Sequence, residues 1–303
     1  MENLCQFICS RGILKSCHFR SFTPQSSCNN DTTYLVKMLK SDKMFDGMSI
    51  YVCSDLLKFF VSQVLPKIVH HFVLVTGDSD MCVPKEALSN TETSVLINSQ
   101  YLTKWFAQNT QIKHHEKIIQ LPIGLDYHTI SNNPNHNWKT PGENHLPRFQ
   151  EEILINLRQQ MKPYYERIPK IYINFTLNND RFQQRKRAFL EIPKDLLAIN
   201  NNFTKRTENW RNITNYTFVL SPFGVGMDCH RTWEALCLGA IPILKAPNFT
   251  KMFENLPVLI VNEWSDVTQE LLDKTIIDFQ CRTFNYDKLT LQYWVKQIIW
   301  TES

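Results

Sequence analysis

Thr217-Phe-Val-Leu-Ser-Pro-Phe-Gly-Val-Gly-Met-Asp-Cys-His-Arg-Thr-Trp-Glu-Ala-Leu-Cys-Leu-Gly-Ala-Ile-Pro-Ile-Leu244 is the stretch whose reading decides the fold. The apolar run Phe218 to Leu220 predicts a buried strand, which Ser221, Pro222, Gly224 and Gly226 then break. Asp228 stands where an N-cap belongs. From Cys229 the period becomes helical: Trp233, Leu236 and Cys237 fall at i, i+3 and i+4 and share one apolar face. Gly239 is a stop signal. Ile241 to Leu244 reads as a second strand, with Pro242 tolerable only near its start. Strand, glycine loop, helix, strand is a βαβ unit, and therefore a parallel sheet.

The polar residues of that helix carry the chemistry. His230, Arg231 and Glu234 share an arc beside the apolar face, at a helix start just past two glycines. Free N–H groups and a partial positive charge suit that end to a phosphate. Arg231 adds a bidentate contact, and Glu234, near one turn on, accepts hydrogen bonds from a ribose or sugar diol. Gly-x-Gly alone would not outweigh an ordinary βαβ unit with a surface Arg–Glu pair; the whole string favours a phosphate-bearing ligand.

This string resembles the donor-binding segment of exostosin-like glycosyltransferases, and of two-Rossmann (GT-B) glycosyltransferases generally. Those set a glycine-rich loop, a basic residue and a helix glutamate against a sugar nucleotide, before a strand reading Gly-x-Ile/Val-Pro-Ile/Val; here that ending is Gly239-Ala-Ile-Pro-Ile243. The resemblance covers about residues 171 to 264. His230-Arg231 departs from the Ser or Pro before Arg of many such chains. It implies an α/β fold of two Rossmann-like, doubly wound domains facing a cleft: residues 1–150 as acceptor domain and 165–285 as donor domain, with a tail helix, within 286–303, crossing back onto the first. It also implies a UDP-sugar donor and a glycan hydroxyl as acceptor. Ser221, Pro222, Gly224, Gly226, Asp228, His230, Arg231 and Glu234 are the donor-site candidates.

Composition sets the bounds. The chain has 303 residues, enough for two domains and a real core. A hydrophobic fraction of 43% with 20% charged is that of a globular chain, which excludes wholesale disorder. The net charge of +4, from 33 basic and 29 acidic residues, is too mild to argue for nucleic acid as a partner. Nine cysteines without a CxxC, four of them among the first 28 residues, indicate neither a zinc knuckle nor a disulfide framework, and favour a reducing compartment. Met-Glu-Asn-Leu lacks a basic n-region, and no run of 18 apolar residues occurs, so neither a signal peptide nor a transmembrane segment is expected. The six sequons, at Asn30, Asn174, Asn202, Asn212, Asn215 and Asn248, are then expected to stay unmodified. A cytoplasmic enzyme, of a bacterium or a large DNA virus, fits the resemblance without a membrane anchor.

Elsewhere the pattern alternates. Met48 to Cys53 reads as a strand, with Asp55 placed to cap a helix through Leu65. His71 to Thr76 is the clearest strand of the first half. Residues 93–98 and 117–121 suggest further strands, with a helix over Ser99 to Asn109 between them. Residues 131–147 are polar and turn-rich. A helix is expected over Arg148 to Gln160, a strand over Lys170 to Phe175, and a basic helix from Arg181 whose Arg187 is placed near the ligand. Strand Pro257 to Val261, helix Val267 to Ile277 and tail helix Tyr286 to Trp300 complete the reading.

Transfer with inversion needs a base for the acceptor hydroxyl, and ligands bind outside the carboxyl ends of strands. Asp78 and Asp80 directly follow the strand ending at Thr76, and Gly77 gives the backbone freedom to turn there. Asp78 is the expected base, with Asp80 the second candidate. They also spell Asp-x-Asp, which in single-Rossmann (GT-A) transferases holds a divalent metal. Because a phosphate site is already assigned downstream, and three-residue acidic motifs are common in glycine turns, the reading preferred is metal-independent, with no cofactor beyond the donor. Asp126 and His128, after the strand ending near Leu121, are the acceptor-side candidates. Trp105 reads as core. A non-catalytic nucleotide- or glycan-binding protein on the same fold is the reading from a different class.

Overall fold

The computed structural model describes residues 2–24, 31–199, 203–246 and 250–299. Cys28, the sequons at Asn30, Asn202 and Asn248, and residues 300–303 of the tail lie outside them. Among the described residues, no helix is long and apolar enough to cross a membrane.

The first half opens with helices α1 (Ser10–Ser16) and α2 (Thr33–Leu39). Strand β1 (Met48–Cys53) leads into a broken helical run over 54–67 that includes α3 (Leu57–Phe59). Then come β2 (Phe72–Gly77), α4 (Asn90–Ile97), β3 (Leu102–Ala107), β4 (Ile118–Gln120) and α5 (His128–Asn132). Helix α6 (Pro147–Gln160) leads to the second half. There, β5 (Ile168–Ile173), α7 (Gln184–Glu191), β6 (Leu197–Ile199) and α8 (Arg206–Asn215) precede the central unit β7 (Tyr216–Leu220), α9 (His230–Cys237) and β8 (Ile241–Lys245). Strand β9 (Leu259–Val261), α10 (Gln269–Gln280) and α11 (Leu291–Ile299) end the chain. Both sheets pair in parallel, in the orders β1-β2-β3-β4 and β6-β5-β7-β8-β9. The α/β fold of two Rossmann-like halves is as the sequence predicts.

Strand periodicity explains the layering. Side chains alternate between faces, so Phe72 and Leu74 of β2 enter an outer core while Val73 and Val75 enter a core shared by both halves. In the second sheet Ile171 and Phe218 face outward, and Tyr172 and Val219 join the shared core. Trp233 and Leu236, on the apolar face of α9, complete it. Helix α11 packs back on α1, β1 and β2, which ties the end of the chain to the first half.

Three expectations fail locally. Residues 93–98 are helix, not strand, and Leu102–Ala107 is strand, not helix. The missed signal is a capping box: Ser89 Oγ accepts from Glu92 N at 3.2 Å while the Glu92 carboxylate accepts from Ser89 N at 2.8 Å. Asp55 caps nothing, since it lies inside the 3-10 turn Ser54–Leu56.

Candidate functional site

The second sheet has a topological switch point: from β5 the chain goes to β6 on one side, then returns to β7 on the other. Crevices at such points receive ligands. The segments after β5 and β7 line a cleft of about 880 Å³, whose opposite wall is the loop after β2.

Two guanidinium groups meet in it. Arg185 of α7 is buried; its Nη1 donates to Thr176 O at 3.0 Å and its Nε has no hydrogen-bond partner. Arg231 of α9 is partly buried; its Nη1 donates to Pro222 O at 3.4 Å and its Nε is likewise unpartnered. Both lie against Phe175, at 5.6 and 4.9 Å from the ring centre. Burial pushes Arg231 down to about 10, and the like charge of Arg185 adds to that. Among the described residues neither makes an ion pair within 4.0 Å. Gly224 leaves room for this pair, since a Cβ there would stand 2.6 Å from Arg185 Nη2.

Arg187, the arginine expected near the ligand, lies elsewhere. It is exposed and bonded to Glu191 at 2.8 Å and Glu263 at 3.4 Å. The helix begins at Gln184, later than expected, and this sets Arg185 inward and Arg187 outward.

The remaining donor-side candidates separate into lining and scaffold. Gly224, Gly226, Asp228, His230 and Glu234 line the cleft with Arg231. Ser221 is buried behind the loop, bonded to Thr232 Oγ1 at 2.7 Å, and Pro222 supplies the carbonyl that receives Arg231. Asp228 is not the N-cap. That position is Cys229, without a side-chain cap. Asp228 instead accepts from Ile123 N at 2.7 Å and from Trp233 Nε1 at 3.0 Å, while Asn109 Oδ1 accepts from Asp228 N at 2.9 Å. It joins the halves. Burial pushes its carboxyl up to about 6, against the opposing hydrogen bonds.

His230 Nδ1 lies 2.7 Å from Gly124 O. A carbonyl only accepts, so Nδ1 carries the proton, and in the neutral ring Nε2 is left with its lone pair.

Across the cleft, Asp78 directly follows β2 with φ of 57°, a left-handed conformation uncommon outside glycine. The turn is thus made by Asp78 itself, not Gly77. Gly77 is needed for space: a Cβ there would stand 2.5 Å from Gln108 Oε1 and 2.8 Å from Tyr51 Oη. Asp78 is buried, with its Oδ2 at 3.3 Å from Arg11 Nη2. Burial pushes its carboxyl up to about 7, with Arg11 and His230 opposing and Asp55 and Asp126 adding to the rise. Asp80 is partly buried and also raised, chiefly by burial. It touches the second half: a Cβ on Gly226 would stand 3.0 Å from its Oδ1.

Asp126 and His128 are brought to the same cleft, but Asp126 is already engaged. Its Oδ2 lies 3.2 Å from Arg206 Nη2, its Oδ1 accepts from Thr129 N at 2.9 Å and lies 3.2 Å from His128 Nδ1, and its carbonyl receives Arg206 Nη1. Burial alone would raise Asp126; His128, Arg206 and His230 outweigh it and hold the carboxyl well below the usual range. Burial pushes His128 down to about 4 against the pull of Asp126, so it is neutral at pH 7 and donates to that carboxylate. Arg206 also lies 4.0 Å from Glu234 and stacks on Trp138 and Trp210. It was missed because α8 follows an Asn-rich run without a capping box; its weak signal is Trp210 and Ile213 at i+4 and i+7 from Arg206.

No family model matches the chain, and no curated protein matches it in sequence. Among solved structures, the chain is similar to the crystal structure of an α1,3-fucosyltransferase: 12% identity, 87% of this chain and 93% of that chain covered, TM-score 0.34.

Proposed function

We propose that the protein is a glycosyltransferase that moves a sugar from a nucleotide-sugar to a glycan hydroxyl. The carrying observation is the pair Arg185 and Arg231: two like charges held together in a cleft and, among the described residues, without a carboxylate within 4.0 Å of either. Such a pair is unfavourable until an anion arrives, and a diphosphate offers oxygens to both. The donor lies with its diphosphate on these arginines and the loop at Gly224 and Gly226. Phe175 and Phe203, which also line the cleft, give the nucleobase apolar walls. By the exostosin resemblance the donor is a UDP-sugar.

Asp78 is the base. The acceptor O–H gives its proton to Asp78, and the oxygen attacks the anomeric carbon. The bond from that carbon to the diphosphate breaks, and its electron pair leaves on the nucleotide diphosphate, where Arg185 and Arg231 stabilise it. Attack opposite the leaving group inverts the configuration. A carboxyl near 7 is matched to this task at neutral pH.

The donor set around Asp78 does not suit a divalent cation, because Arg11 already lies against that carboxylate. No group of three metal-capable side chains is assembled among the described residues. Transfer is therefore expected to persist in EDTA. The test is a calorimetric titration with a panel of nucleotide diphosphates, then product analysis with the matching sugar nucleotides. Binding of UDP, and transfer unaffected by EDTA, is the expected result; no affinity for any nucleotide diphosphate would sink the proposal.

A further inference from the structure

We propose that Arg11 is a positioning residue for Asp78, fixing the carboxylate at the end of β2 and keeping it anionic where it is withdrawn from water. The inference rests on Asp78 as the acceptor's base and adds a residue from outside both sheets.

The contact is buried on both sides: the side chains are 3% and 4% exposed. Its geometry is particular. Arg11 Nη2 is 3.3 Å from Asp78 Oδ2, yet Oδ2 has no hydrogen-bond partner in good alignment. The guanidinium therefore acts as a nearby charge, not as a bidentate clamp. A clamp would use up the lone pairs and make the carboxylate too weak a base. No cation at all would leave a buried carboxyl protonated at neutral pH. An offset arginine lies between these limits.

The surroundings hold both partners still. Gln108 Oε1 accepts from Asp78 N at 3.1 Å, and Cys53 Sγ donates to Asp78 O at 3.5 Å, so the left-handed backbone is fixed from two sides. On the other partner, α1 is held by Leu125 N donating to Ile8 O at 2.8 Å. It is also held by a close approach at Gly12, where a Cβ would stand 2.8 Å from Leu291 Cδ2 and 2.9 Å from Glu2 O. The charged and titratable groups facing Asp78 are Arg11 from α1, His230 from α9, Asp55 and Asp126 from the flanking loops, and Tyr51 and Cys53 from β1. Of the two cations, Arg11 opposes the effect of burial more strongly.

The experiment is a carboxyl NMR titration of Asp78 in the unliganded protein, paired with the pH dependence of turnover on a UDP-sugar. Both are run on wild type, Arg11→Met, Arg11→Gln and Arg11→Lys. With the neutral variants the Asp78 midpoint and the acid limb of kcat/KM both move upward, by about one pH unit or more, and turnover recovers at alkaline pH. Arg11→Lys is the mildest change if charge is what matters; a packing role makes Arg11→Met the mildest, which overturns the proposal. An unmoved midpoint in either neutral variant that folds overturns it too. If the midpoint moves but Asp78→Asn retains turnover, the pairing stands and the base assignment fails, together with the role of Arg11 in the reaction.

Discussion

Asp126 in the first half and Arg231 in the second are charges at the wall of one cleft, and their surroundings are opposite. Asp126 has Arg206, His128 and a backbone amide on its oxygens. Arg231 has a long contact to a carbonyl and an aromatic ring, and Arg185 beside it adds like charge. Charge that is already neutralised holds a structure together; charge left unneutralised awaits a ligand. By that measure the proposed diphosphate belongs to the second half. The first half is braced, and within it Asp78, set against the offset Arg11, is the carboxylate proposed as base.

The comparison breaks first at Asp78. Asp78→Asn keeps the shape and removes the base, so kcat falls by roughly 10²–10⁴ while donor affinity is nearly unchanged. In wild type, kcat/KM rises with pH through about 7, because only the anion accepts a proton and burial has pushed its carboxyl up to about 7. Near-normal kcat in Asp78→Asn moves the base to Asp80 or to the Nε2 of His230. A loss of donor affinity instead makes Asp78 part of the donor site.

Next comes the arginine pair. Arg231→Ala and Arg185→Ala each weaken UDP binding by about 1.5–3 kcal/mol, the range for charged hydrogen bonds, or roughly ten- to 150-fold. The two losses combine non-additively, since removing one arginine relieves repulsion on the other. Unchanged affinity by calorimetry in both variants would remove the diphosphate from this place.

The smallest effect is the sharpest on position. Arg187 is only two residues from Arg185, but it is exposed and paired with acids on the outer surface. Arg187→Ala should change UDP affinity less than about twofold, since surface ion pairs contribute little. A loss matching that of Arg185→Ala would mean that the helix is set differently from the register described.

How much of this was legible in the sequence follows from range. The β7-α9-β8 unit is local, and its glycines, apolar face and Gly239 stop announce it. Strands β1, β2, β7 and β8 were readable because each is a compact apolar run. The exchange of helix and strand over 93–107 arose because its short apolar runs, Val95 to Ile97 and Trp105 to Ala107, are too brief to show a period, and the deciding signal was the Ser89/Glu92 box. Arg11 and Arg206 were not legible as site residues. Arg11 reaches Asp78 across 67 positions within the first half, and Arg206 reaches Asp126 across 80 from one half to the other; no local pattern encodes contacts between residues that far apart in the chain.

The core shared by the two sheets bears on how the molecule moves. A two-lobed protein with a thin, polar junction opens by rotation about a hinge. Here Val73, Val75 and Phe106 pack in one continuous body with Tyr172, Trp210 and Trp233, so rotation would expose apolar surface and break the Asp228 bridge. Breathing is then left to segments outside that body: the turn around Val225, 41% exposed and lining the cleft, and the partly exposed Arg181–Glu86 ion pair between the halves. For the donor proposed above, admission and product escape are then expected to depend on that loop lifting, on the timescale of loops rather than of domains, and the two halves are expected to unfold together.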